Sequence, residues 1–223
     1  MSKCLDNLLA TIEWQMSGVE IESESFSRIE EGIGAFKQKV EPEIYRIGRR
    51  LVHTTADFAI VDELCWKHDP VAAGLAALRD KAPIYCDSSM IRSGLSLARL
   101  KQVNNAYTAD DIHCLVADPQ VFKEAAERGQ ARSLVAVEKA RDIIDGGIVL
   151  VGNAPLALAA IIRLLVEERI RPRLIIGMPV GFVHVIESKE LVMATDIPQV
   201  VIKGRRGGSS LAVATLHAII ESV

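Results

Sequence analysis

Ile148-Val149-Leu150-Val151-Gly152-Asn153-Ala154-Pro155 is a short β-branched run that ends in a turn and leads into the apolar stretch Leu156 to Val166. A continuous run of this kind reads as a strand buried on both faces, the signature of a parallel sheet covered by helices. The same grammar recurs twice. Leu174-Ile175-Ile176 leads to Gly177-Met178-Pro179-Val180-Gly181-Phe182, and Val200-Val201-Ile202 leads to Gly204-Arg205-Arg206-Gly207-Gly208-Ser209. In an open α/β sheet such turns gather at the carboxyl edge of the strands, where ligands bind. Backbone N–H groups, an amide, arginines and hydroxyls at that edge suit a large ligand bearing several carboxylates.

Working outward, Pro83-Ile84-Tyr85-Cys86 and Ile112-His113-Cys114-Leu115-Val116 supply two further strands, giving five in alternation with helices. Helices are expected over residues 88–98, 119–128, 133–144, 155–168, 187–193 and 209–220. The predicted architecture is α/β, a three-layer α/β/α arrangement around a five-stranded parallel sheet, a Rossmann-like variant. The first third reads as helical, over residues 4–16, 23–36 and 41–53, with another helix from Asp69-Pro70 to Leu78. No repeat or linker divides the chain. One domain over residues 1–223 is expected, with residues 1–19 as a helical extension.

A length of 223 residues fits one large α/β domain. A net charge of −3 and 4% aromatic residues leave no basic, ring-rich footprint, which argues against a nucleic-acid partner. Asp6 and Glu13 interrupt the amphipathic N-terminus, so it does not read as a secretory signal, and Arg163 breaks the longest apolar helix. Neither segment suits a membrane, and a cytoplasmic protein is expected. Four cysteines without C-x-x-C pairing or His spacing read as reduced thiols, and no two of five histidines share a metal-binding spacing.

Each candidate residue carries a bland reading beside a functional one. Gly207-Gly208-Ser209-Ser210 opens the last helix, either as an anion seat or as a tight turn beside an exposed arginine pair. The P-loop lysine and dinucleotide spacing are missing there, so nucleotide binding has no support. Asn153 before Pro155 and Asp87 after the first strand are helix caps by default. Phe182 is either core or a ring to lie against a flat ligand. His53 is followed by Thr54-Thr55-Ala56-Asp57, hydroxyls and a carboxylate suited to orienting an imidazole. His184, in the turn after Phe182, is a second possible ligand contact. A G-x-S-x-G elbow is lacking, which disfavours serine acyl transfer.

Taken together, the Gly152-Asn153-Ala154-Pro155, Gly177 to Val183 with Glu187-Ser188-Lys189, and Gly204 to Ser209 segments resemble those of the precorrin-8X methylmutase (precorrin isomerase) family. Ser25-Phe26, Arg49 to His53, Pro83 to Asp87 with Met90, and Arg132-Ser133 extend the resemblance from about Glu20 to the C-terminus. It implies a homodimer with active sites near the interface and a tetrapyrrole substrate. The implied reaction shifts a methyl group from C-11 to C-12 of ring C in precorrin-8X or cobalt-precorrin-8, giving hydrogenobyrinate or cobyrinate. No metal or organic cofactor is implied. By resemblance His53 is the catalytic proton donor and acceptor and Ser25 binds substrate. Asp87, Arg132, Asn153, Pro155, Gly181, Phe182, Arg205, Gly207, Gly208 and Ser209 are the further candidate substrate contacts. Residue 131 is Ala where the family often has Thr, and residue 184 is His where relatives commonly have Gly or Asn. The segment His53 to Phe58 looks closer to the cobalt-substrate branch. A corrinoid carrier without catalysis is the alternative; a phosphate-ester enzyme using the Gly207-Gly208 turn is a third reading.

Overall fold

Alternate residues of each central strand face opposite helical layers. In the computed structural model, which describes residues 2–223, Ile148 and Leu150 join one apolar cluster while Val149 and Val151 join another. The strands are β1 (Leu64–Lys67), β2 (Ile84–Cys86), β3 (Ile112–His113), β4 (Ile148–Val151), β5 (Leu174–Gly177) and β6 (Gln199–Ile202). Their order in the sheet is β1-β6-β5-β4-β2-β3. β2 to β6 are parallel, as expected. The sheet is nonetheless mixed and six-stranded, because β1 pairs antiparallel to β6 with Leu64 opposite Ile202.

The expected five-stranded parallel sheet is therefore corrected by one edge strand. Leu64-Cys65-Trp66-Lys67 is too short and too exposed on one side to show a buried-strand pattern, with only Leu64 fully buried. Its pairing comes from the chain entering beside β6 through the 3₁₀ helix Phe58–Glu63. β3 is also shorter than expected, since Cys114 to Val116 pass into a turn.

One layer holds the helices Pro42–Thr55, Pro70–Arg79 and Ser209–Ile220, and the other holds Arg132–Lys139 and Pro155–Glu168. In Pro42–Thr55 the residues Ile44, Ile47, Leu51 and Val52 recur at helical spacing and pack against the terminal helix. Burying each such side chain contributes roughly 1.5–3 kcal/mol before chain entropy is set against it.

Local chemistry moved several helix ends. The expected helix over residues 4–16 stops at Leu9, because the Thr11 hydroxyl and the Trp14 indole N–H donate to the Leu8 and Leu9 carbonyls. Ser17 starts the next helix, Gly18–Gly32, through a reciprocal cap with Glu20. The stretch 88–98 splits into Ser89–Gly94 and Leu97–Val103, each opened by its own serine cap, Ser88 and Ser96.

Candidate active site

The chain runs from β2 outward to β3 and then returns to the other side of β2 for β4. That reversal opens a crevice at the carboxyl ends of β2 and β4, the usual ligand position in such sheets. Asp87, at the end of β2, is 2% exposed and bridges the crevice. Its carboxylate accepts from the backbone N–H of Gly152 (3.0 Å), Asn153 (2.9 Å) and Ala154 (2.6 Å). Burial raises its pKa above the ordinary carboxylate value, with those N–H groups opposing.

Asp87 thus caps the turn after β4 rather than its own helix, which Ser88 caps through the Ile91 N–H. Asn153 is not the helix cap either. Ala154 holds that position with no side-chain bond, and the Asn153 amide lies exposed at the rim with Pro155 half-buried behind it.

The remaining turns are knitted to this one. Ser88 and Ser209 share a buried hydroxyl–hydroxyl bond of 2.9 Å. Gly208 N–H donates to the Met178 carbonyl (2.8 Å), and Gly181 N–H to the Arg205 carbonyl (3.3 Å). A Cβ on Gly152 would lie 2.7 Å from the Ser209 Cα, and one on Gly207 would lie 2.3 Å from the Met178 carbonyl oxygen. Glycine is required at both positions because backbone meets backbone. Asp87, Asn153, Gly181, Arg205, Gly207, Gly208 and Ser209 therefore form one assembly.

The rim's charges are unequal. Arg206 pairs with Asp57 (2.9 Å) and Glu63 (3.7 Å), whereas Arg205 is exposed and makes no ion pair among the described residues. Phe182 is 88% exposed and Val183 72%, so Phe182 is not core. His184 starts its helix in a left-handed conformation with φ 56°, and its side chain makes no cap bond.

Among the described residues, His53, Ser25 and Arg132 share no hydrogen bond or ion pair with that assembly. His53 is exposed on the last turn of Pro42–Thr55, its ring 4.9 Å from that of Phe26 and tilted 39° to it. Phe26 follows Ser25 on the adjoining helix, so this stack brings Ser25 and His53 to one helix pair. The Ser25 hydroxyl donates to the Ile21 carbonyl. The groups expected to orient the imidazole are engaged elsewhere. Thr54 and Thr55 donate to their own helix, and Asp57 caps Ala59 and holds Arg206. Through that last pair the His53 helix is tethered to the glycine-rich turn.

Arg132, exposed, lies 5.6 Å from the Phe122 ring. The ion pairs Glu138–Arg163 and Arg141–Glu168 run in the same sense, so its helix and Pro155–Glu168 both begin toward the carboxyl edge.

Two residues of the assembly were given no role of their own by the sequence. Ser88 read only as the start of a helix. Lys189 entered only as part of the Glu187-Ser188-Lys189 segment, yet it is 1% exposed and its ammonium donates to the carbonyls of Gly204 (2.9 Å) and Arg206 (2.6 Å). Burial pushes its pKa down to about 8, with Glu63 opposing. The available signal was its position on one stripe with Val185 and Val192, at helical spacing.

A cleft of about 610 Å³ opens near Trp66, Lys67 and His68 at the opposite, amino-terminal edge, and none of the candidate residues lines it. Among the described residues no three His, Cys, Asp or Glu side chains converge as metal ligands, and no helix is long and apolar enough to cross a membrane.

Comparison with known proteins finds matches over nearly the whole chain. The family model for precorrin-8X methylmutase matches residues 20–222. The cobalt-precorrin-8 methylmutase of Leptospira interrogans is 38% identical over 91% of this chain and 93% of its own. The precorrin-8X methylmutase of Pseudomonas aeruginosa is 34% identical over 93% and 97%. The crystal structure of the Thermus thermophilus precorrin-8X methylmutase is 37% identical and superposes with a TM-score of 0.78, covering 92% of this chain and 95% of that one. A sheet-edge assembly of this kind, matched over nearly the whole length in sequence and in fold, has one conclusion: the chain belongs to the precorrin-8X methylmutase family.

Proposed function

We propose that this protein is a cytoplasmic isomerase of corrin biosynthesis that moves the ring C methyl group of precorrin-8X, or of its cobalt form, from C-11 to C-12. The family match over residues 20–222 carries this reading. Protonating a conjugated ring redistributes its double bonds and eases the migration, and an imidazole is suited to lend and recover that proton near neutral pH. His53 is the candidate. Its ring is steadied by Phe26 and makes no hydrogen bond to any described residue, which leaves its nitrogens for a ligand.

The acetate and propionate arms would meet Arg205, Arg132 and the N–H groups at Ser209, with Ser25 and the Asn153 amide as further polar contacts. Asp87 serves that rim from behind by holding the turn at Gly152 to Ala154. Phe182 and Val183 offer an apolar surface to the macrocycle or to a second subunit. An open rim that leaves these side chains exposed supports active sites near a homodimer interface, with the partner completing the enclosure.

His53→Ala is expected to abolish conversion of precorrin-8X while pigment binding, read by spectral titration, persists. Turnover at the wild-type rate would remove His53 from the mechanism.

A further inference from the structure

Lys189 is a buried ammonium that does no work in the reaction as described. Its cost is considerable, since a charge removed from water needs strong compensation. The compensation is specific: both recorded bonds go to carbonyls of the glycine-rich turn, those of Gly204 and Arg206. The carbonyl between them, of Arg205, accepts from the Gly181 N–H. Three successive carbonyl oxygens are thus engaged by donors within the protein.

This matters for an anion site. Carbonyl oxygens repel carboxylates, so a turn that is to receive one must direct its oxygens away and present N–H groups and cations. Arg206 is held back by Asp57 and Glu63, and Arg205 alone of the pair is left for a ligand.

We propose that Lys189 is a positioning residue, which draws the Gly204 and Arg206 carbonyls inward and so aims Arg205, the residue between them, at a carboxylate arm of the substrate. This rests on the reading of Arg205 as a substrate contact. With Arg205 misaimed, substrate affinity is expected to fall about tenfold, equivalent to about 1.4 kcal/mol.

The test compares Lys189→Met, Arg205→Ala and the double variant, using precorrin-8X, with thermal melting to confirm folding. Each single variant is expected to raise KM about tenfold and to lower kcat less. The double variant should be no worse than the poorer single one, because both remove the same contact. If Arg205→Ala raises KM while Lys189→Met does not, or if the two effects multiply, the positioning role is overturned and Arg205 keeps its own. A wild-type KM for Arg205→Ala overturns both. Should Lys189→Met fail to fold, Lys189→Gln, whose shorter side chain cannot span both carbonyls, is measured in its place. An elevated KM, not compounded by Arg205→Ala, is again expected, and a wild-type KM would overturn the role.

Discussion

Asp87 shows how one carboxylate can organise a site without facing the ligand. Its two oxygens serve three N–H donors, which no neutral side chain of the same size can do. In Asp87→Asn one acceptor becomes an NH₂ group facing a backbone donor. The expected loss is about 1–3 kcal/mol of folding stability, read as a lower urea midpoint at unchanged slope. An unchanged midpoint would mean that the turn after β4 holds itself. His184 illustrates the other side of residue-level reading. Its backbone is left-handed at φ 56°, a conformation that Gly and Asn adopt most readily. The position thus carries a conformational demand, separate from any ligand contact by the imidazole.

Among elements, the turns rather than the helices set the site, and their spacing leaves no room for a side chain. Gly207→Ala would place a methyl group against the Met178 and Pro179 carbonyl oxygens, at 2.3 and 2.6 Å, and both are backbone atoms that cannot rotate away. The turns after β5 and β6 must then separate. A loss of about 1–3 kcal/mol is expected, together with a raised KM, because the Arg205 turn moves with them. Thermal melting and steady-state kinetics check the two halves. Equal KM with a lower melting temperature would show that the turn spacing serves stability alone. Strand β1 belongs to this scale as well. It was illegible because an edge strand of four residues with one buried side chain has neither the length nor the alternation that marks a strand.

For the molecule as a whole, the packing of the terminal helix against Pro42–Thr55 ties folding to pH. His217, on the terminal helix and near Arg50 of Pro42–Thr55, meets the start of Leu97–Val103, where its Nε2 accepts from the Ser96 N–H (3.1 Å). Burial, then the neighbouring Arg99 and Arg50, lower its pKa from 6.5 to about 4, with Glu221 opposing. A histidine held neutral in the folded state contributes stability above its unfolded pKa. That contribution is lost as pH falls from 6.5 toward 4, because the unfolded chain takes up the proton first. The shift corresponds to roughly 1–3 kcal/mol. Urea titrations at pH 7 and pH 4.5 should show that loss in the wild type, and a smaller one in His217→Gln. An identical pH dependence in the variant would exclude this residue as the source.

The sequence by itself determined the parallel strands β2 to β6, the layered core and the three strand-end turns. Those depend on local apolar runs and on glycine, which act over a few residues and leave a pattern that can be read. It also marked Asp87, Asn153, Arg205 and the Gly207-Gly208 pair, though not what each does. Only the tertiary structure decided that Asp87 reaches across to the turn after β4, that Arg206 is held by Asp57 while the Arg205 side chain makes no ion pair among the described residues, and that Lys189 lies buried beneath their loop. Such pairings join residues far apart in the chain. Their energies depend on distance and burial, which come into being only when the sheet closes the gaps between them.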